Sequence, residues 1–373
     1  DDRGGNTFEE SIESFRIAQQ AGADYLSVTV GWHESSQSVI TRDVPMGHWL
    51  YIAEAVKKAV DVPVMMAFRQ FLPHVPEKAI SEGQIDFVEM CRPMIADPEF
   101  PNKVKEGREK EIVPCIACNV CFSRLYYHQP IMCSVRPSLG HEGEKKWGYY
   151  GFEPTDRKKT VSIVGGGPAG LQCAVAARQR GHNVTLFEKN DTVGGNILIA
   201  SRVDPGAVEL LRPIRTLEEM CRKAGVVVKT GVECDPSMIR KDGPDVVVVA
   251  SGPAARQVPE GVLLPRDVMM ENVHPGRRIA IIGACGVGLG VAVYLLGKGD
   301  YEISVVDEAQ KPGRDVNPFY FWQYMALMKK KKVNFMMRTA IDSIGDRSIR
   351  FTGPSGQGSL EVDSVIMSIF YPE

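Results

Sequence analysis

Thr160-Val161-Ser162-Ile163-Val164-Gly165-Gly166-Gly167-Pro168-Ala169-Gly170 is an apolar run that breaks into a glycine loop and then into an alanine-rich helical pattern. Strand, tight turn and helix in that order are the opening of a parallel α/β unit. Gly165 makes the turn, Gly167 removes the side chain that would hold a pyrophosphate off the backbone, and Gly170 lets the helix lie close on the strand. The helix start offers unpaired amide hydrogens and the positive end of its dipole. Further on, the strand 184–187 ends in Glu188, which can accept from a ribose hydroxyl, followed by Lys189. The glycine pattern alone is weak. With strand, helix and acid agreeing, it predicts a dinucleotide site, against the plainer reading of a structural turn.

A second copy begins at Arg278-Ile279-Ala280-Ile281-Ile282-Gly283-Ala284-Cys285-Gly286-Val287-Gly288, and its next strand, 303–306, ends in Asp307. The chain therefore repeats a nucleotide-binding design and predicts two dinucleotides. Asp307 would bond a 2′-hydroxyl and repel a 2′-phosphate, which favours NADH over NADPH. Cys285 stands where the second glycine would admit pyrophosphate, so its side chain is expected to push the phosphate away. The alternative is a domain kept for packing alone.

Ahead of the first copy, Cys115, Cys118, Cys121 and Cys133 are spaced C-x2-C-x2-C-x11-C. Three thiols at every third position, completed by a fourth from a separate segment, suit an all-cysteine [4Fe–4S] site. Zinc competes for four thiolates, but its knuckles pair C-x2-C with C-x2-C or with histidines, and only His128 falls in the interval. Coincidence is the third reading.

Before the cysteines, helical patterns at 8–21, 48–60, 75–82 and 102–110 alternate with apolar strands at 24–30, 62–68 and 85–91. Three such units in a row predict a parallel α/β architecture, and they are too few to close a barrel by themselves. The stretch 140–159, rich in charge and aromatics, reads as a linker. The 373 residues are 44% hydrophobic and 24% charged, with net charge −2, which leaves no electrostatic case for nucleic acid or membrane partners. No apolar run approaches the roughly 20 residues that span a bilayer, and the opening Asp1-Asp2-Arg3-Gly4-Gly5 is no signal peptide. Nine cysteines, four of them in the array, fit a reducing, cytoplasmic setting. Lys329 to Lys332 read as a solvated helix end. Met325, Met328, Met336 and Met337 read as core filling, and Tyr126, Tyr127 and His128 as a shield for the cluster.

Gly31-Trp32-His33-Glu34, Cys91-Arg92-Pro93-Met94-Ile95-Ala96-Asp97-Pro98, the Cys115–Cys133 array, the Gly165–Gly170 loop and Gly194-Gly195, in this order, resemble the flavin- and iron–sulfur-containing branch of the old yellow enzyme family. Bacterial 2,4-dienoyl-CoA reductase and clostridial 2-enoate reductase are nearest in pattern, and trimethylamine dehydrogenase is more distant. The resemblance implies an α/β chain in four parts. Residues 1–110 are the C-terminal part of an FMN-binding (β/α)8 TIM barrel and 111–158 the 4Fe-4S segment and linker. Residues 159–258 are a Rossmann-like FAD domain and 259–373 a Rossmann-like NAD(P)H domain, with both termini truncated. Barrel enzymes bind cofactor phosphate after strands seven and eight, which makes Arg92, beside Cys91, the clamp for FMN phosphate, with Arg69 a second candidate. The loop after 62–66 departs from the pattern, reading Ala67-Phe68-Arg69 where glycine or asparagine is usual.

The resemblance further implies that His33, at the end of the strand 25–30, polarises a thioester carbonyl or assists proton delivery. Gly194 and Gly195 would let the backbone approach FAD, and Ser251-Gly252 is the turn that returns the chain to it. Electrons would pass from NADH to FAD, to the cluster, to FMN, and finally to the C=C bond of an unsaturated acyl-CoA or enoate, in a homo-oligomer. An amine dehydrogenase passing electrons outward, and a non-catalytic electron-transfer subunit, are the alternatives.

Overall fold

The computed structural model describes residues 4–30, 40–148, 151–253 and 258–368. The chain forms two compact units that divide at Tyr149 and Tyr150.

In the first unit, α1 (Phe8–Gln20) opens on a capping box. Thr7 Oγ1 accepts from the Glu10 amide at 3.1 Å and Glu10 Oε2 from the Thr7 amide at 2.8 Å, satisfying two donors that a first turn leaves without partners. Strands β1 (Leu26–Val28), β2 (Val64–Met66) and β3 (Phe87–Val88) pair in parallel in that order, joined by α2 (Leu50–Lys57) and α3 (His74–Ser81). Leu26, Val28, Val64 and Met66 bury against Ala53 and Val56 of α2 and Ala79 of α3. Asp86 fastens this layer by accepting from the Val64 amide at 2.9 Å and pairing with Lys57. Lys57, then the amide, holds its carboxyl below the ordinary value.

These strands are shorter than the apolar pattern predicts. Phe68 and Arg69 take positive φ, 61° and 56°, which ends β2. After β3 the chain coils at once into α4 (Arg92–Ala96), so Arg92 opens a helix instead of sitting in a loop. The helix expected over 102–110 is split by Gly107 at φ 68° into α5 (Phe100–Lys105) and a 3-10 turn, Glu109–Glu111. Among the described residues, α6 (Val120–Tyr126) is the last α-helix of the unit, followed by a 3-10 turn, Lys145–Trp147.

The second unit holds the two repeats as two parallel sheets. The first contains β4 (Thr160–Val164), β5 (Asn183–Phe187), β6 (Val227–Lys229) and β7 (Val246–Val249) in the order β6-β5-β4-β7. It is served by α7 (Pro168–Gln179), α8 (Asn196–Ala200), α9 (Arg212–Ala224) and α10 (Pro236–Asp242). The second contains β8 (Val262–Leu263), β9 (Arg278–Ile282), β10 (Glu302–Asp307), β11 (Asn334–Met337) and, after an antiparallel meander of β12 (Ala340–Ile344), β13 (Ser348–Gly353) and β14 (Gly356–Glu361), β15 (Ser364–Met367), in the order β11-β10-β9-β15-β8. Its helices are α11 (Pro265–Met269), α12 (Gly286–Lys298) and α13 (Pro318–Lys330).

The repeats share the bonds that frame their sheets. In each, an aspartate just before the last central strand accepts from the amide that opens the first: Asp245 from Thr160 at 2.7 Å, Asp363 from Arg278 at 2.9 Å. Ile163, Leu171 and Leu186 form the first core, and Ile281, Leu289, Leu295 and Met328 the second, all fully buried. Among the described residues no helix is long and apolar enough to cross a membrane.

Candidate functional site

At the carboxyl ends of β4 and β5 a cleft of about 370 Å³ opens, lined by Gly165, Gly167, Glu188, Lys189, Gly195 and Ser251 among others. This is where doubly wound sheets bind ligands. Gly165 has φ 111°, a conformation reserved for glycine, and a Cβ on Gly170 would collide with the Gly165 carbonyl oxygen. Glu188 is buried and clamps the loop: its Oε2 accepts from the Gly166 amide at 2.7 Å, and its Oε1 from the amide and side chain of Asn190 at 2.9 and 2.6 Å. A carboxylate has about four acceptor positions, so a hydroxyl can still be added. Gly195 faces Gly167 closely, and a Cβ added to it would stand 3.1 Å from Gly167 Cα. Two glycines from different loops thus leave a lane in which a dinucleotide fits. Among the described residues no side chain bonds the amide groups that start α7. Gly194 donates to the Gly166 carbonyl at 2.8 Å, which sets Asn196, two residues on, in the cleft wall. Gly252 and Arg266 complete the lining. Arg266 comes from α11, far along the chain, and no local pattern marks it in the sequence.

The second repeat builds the same frame. Gly283 has φ 111°, and Asp307 accepts from the Ala284 amide at 2.6 Å and the Ala309 amide at 2.8 Å. Gly313 donates to the Ala284 carbonyl at 2.7 Å, as Gly194 does to Gly166. A Cβ on Gly288 would collide with the Gly283 carbonyl oxygen. The Cys285 thiol lies 3.7 Å from the Ser368 carbonyl oxygen. What faces the helix start is instead Asp315, whose two oxygens accept from the Gly286 amide at 2.8 and 3.0 Å.

In the first unit the loop Cys115–Cys121 is tightly wound, with Ala117 and Asn119 at φ 50° and 57°. All four array cysteines are free thiols. Burial pushes the Cys115 thiol up to about 12, against the Arg92 guanidinium, with Cys118 and Cys121 adding to the rise. Burial likewise raises Cys121 and Cys133, and Cys118 acts on both. Four thiols form a donor set whose softness suits iron–sulfur ligation. Among the described residues no three histidine, cysteine or acidic side chains are gathered around the position of a single ion. Tyr126 and Tyr127, between the array cysteines in sequence, are 65% and 57% exposed and pack edge to face on each other.

Arg92 reaches into this loop. Its Nη1 donates to Asn119 Oδ1 and to the Ile40 carbonyl, both at 2.7 Å, and Asn119 Nδ2 donates to the same carbonyl at 3.1 Å. Arg69 is fully buried and donates from Nε to the Val44 carbonyl at 2.8 Å. Both guanidinium groups lie on the Phe71 ring, Arg92 at 4.8 Å and Arg69 at 5.2 Å from its centroid. The departure Ala67-Phe68-Arg69 is resolved by strain: two residues other than glycine adopt the left-handed conformation, at about 1–2 kcal/mol each. Cys91 is exposed at the start of α4. His33, with Gly31, Trp32 and Glu34, lies outside the described residues.

The family described as NADH:flavin oxidoreductase / NADH oxidase matches residues 4–111, and that described as pyridine nucleotide-disulphide oxidoreductase matches 159–371. The chain is 33% identical to an NADH oxidase of Thermoanaerobacter brockii, over 98% of this chain and 58% of that protein. It is 31% identical to a cinnamate reductase of Clostridium sporogenes, over 98% of this chain and 56% of that one. A solved structure of 2-naphthoyl-CoA reductase with 2-naphthoyl-CoA superposes with a TM-score of 0.91 at 35% identity, over 99% of this chain and 56% of that one. The chain thus spans a little over half the length of the relatives it matches. Its three parallel strands belong to a TIM-barrel segment and its two repeats to Rossmann-like nucleotide folds, and the chain belongs to the iron–sulfur flavoenzyme branch of the old yellow enzyme family.

Proposed function

We propose that the chain is the cofactor-carrying part of an NADH-dependent reductase that saturates a C=C bond conjugated to a thioester or carboxylate. The observation that carries this reading is Arg92, hydrogen-bonded to Asn119 of the four-thiol loop and stacked with Arg69 on the Phe71 ring, in a chain that goes on to two nucleotide folds. Cinnamate reductase and 2-naphthoyl-CoA reductase, by their names, act on such conjugated acyl compounds. When bound, FMN, FAD and a [4Fe–4S] cluster supply hydride and single-electron transfer between NADH and substrate.

The chain's own residues divide the work along the four parts 1–110, 111–158, 159–258 and 259–373. Arg92 holds the FMN phosphate, with the fully buried Arg69 supporting it from the shared Phe71 ring, and Cys115, Cys118, Cys121 and Cys133 ligate the cluster. Gly165, Gly167, Gly170, Gly194, Gly195, Ser251 and Gly252 shape the FAD lane. Glu188 takes its ribose and Lys189 balances its phosphates. Gly283, Gly286, Gly288 and Asp307 receive NADH. His33 polarises the substrate carbonyl. The protein works in the cytoplasm as a homo-oligomer.

An anaerobic titration with NADH tests this, alongside iron and sulfide analysis. Flavin bleaching by NADH, four irons per chain and reoxidation by cinnamate or a 2-enoyl-CoA are expected. Flavin that ignores NADH but is bleached by a methylated amine would replace the reading with amine oxidation.

A further inference from the structure

We infer that Asp315 is a built-in competitor of the nucleotide at the second fold, and that NADH enters only as the strap 311–315 lifts from the start of α12. The inference deepens the proposed function and rests on NADH binding at this fold.

The strap is held at two points that bracket the glycine loop. Gly313 donates to the Ala284 carbonyl at 2.7 Å, and the Asp315 carboxylate accepts from the Gly286 amide through both oxygens. That amide is one of the donors with which such a helix start receives pyrophosphate, and an anion there is favoured by the helix dipole. The carboxylate satisfies the same amide as the phosphate would. The first fold makes the same glycine-to-carbonyl bond from Gly194 to Gly166, but the residue two places on is Asn196, neutral and set in the wall of an open cleft, and its helix opens on Pro168, which has no amide hydrogen for a carboxylate to take. Asp315 has the corresponding place and carries the charge. Gly313 cannot be replaced without moving the strap, because a Cβ there would collide with the Phe321 ring. Asp315 itself is exposed, so nothing packs over it to prevent its departure. Cys285 is turned towards Ser368 and leaves the competition to the carboxylate.

NADH titrations of the intact protein, as wild type and as D315N and D315A, read the competition directly through nucleotide fluorescence. The dissociation constant is expected to fall by about three- to tenfold in both variants, the range of a charge at a helix terminus. An unchanged or weaker affinity in both overturns the strap. If neither wild type nor variants bind NADH, the second fold is not an NADH site, and the proposed function fails together with this inference. In the wild type, saturation with NADH is expected to speed trypsin cleavage after Arg314, read by mass spectrometry; slower or unchanged cleavage overturns the strap whether or not the variants fold.

Discussion

The two nucleotide folds share the same frame, from the aspartate bond that opens each sheet to the acid that clamps each glycine loop. They part where the glycine loop enters the helix. In the first, α7 opens on Pro168, which has no amide hydrogen, beside an open cleft; in the second, α12 opens on Gly286, whose amide already donates to the Asp315 carboxylate. The difference teaches that the fingerprint sets the scaffold even where its second glycine is replaced, whereas the loop after the second strand decides which side chain stands at the helix start.

The comparison is tested most severely where the frames are identical. Gly170→Val and Gly288→Val each drive a side chain into a backbone carbonyl. Each is expected to cost about 4 kcal/mol or more, seen as loss of the cooperative melting transition. If only one collapses, the two folds are not equivalent. Next come the acids. Glu188→Gln turns an acceptor for the Gly166 amide into a poorer partner, at about 1–3 kcal/mol, and flavin retention on gel filtration is expected to fall while NADH affinity is unchanged. Asp307→Asn is expected to do the reverse. Asn196→Asp writes the second fold's charge into the first, and the FAD dissociation constant is expected to rise by about three- to tenfold; no change would mean that the strap backbone, not its charge, separates the folds.

The smallest effect concerns Asp363. The Arg278 fork first, and the Arg278 amide second, hold this exposed carboxyl down at about 2 from its ordinary 3.8. Because the folded value is depressed, the stabilisation is present above pH 3.8 and disappears as pH falls through about 2. Asp363→Asn is therefore expected to lower the melting temperature slightly near neutral pH and to match wild type at the acid end, as read by pH-dependent melts.

The frame was legible in the sequence because its determinants are local. Strand, glycine loop, helix and terminal acid fall within one short stretch, and the apolar period that defines β4, α7 and β5 needs no distant partner. The pieces that close or connect sites were not. Asp315 meets Gly286 from 29 positions away, and Asn119 meets Arg92 from 27, across loops without periodicity. Phe68 and Arg69 hid for another reason: left-handed backbone is read from glycine, and here bulkier residues adopt it under the constraint of the Arg69 side chain's burial. The first-unit strands were overextended because apolar runs continue past the last ladder bond. Cys285 departs from the fingerprint, and its thiol contact with Ser368 spans 83 positions, which no local pattern marks.

Asn119 stands between two array cysteines and shares both of its side-chain bonds with the arginine end of the barrel segment. On the proposed reading, oxidative loss of a cluster held by these thiols would relax this loop and withdraw a support from Arg92. Iron would depart first and a flavin phosphate held by Arg92 would follow, so that bleaching of the yellow colour would lag behind the brown.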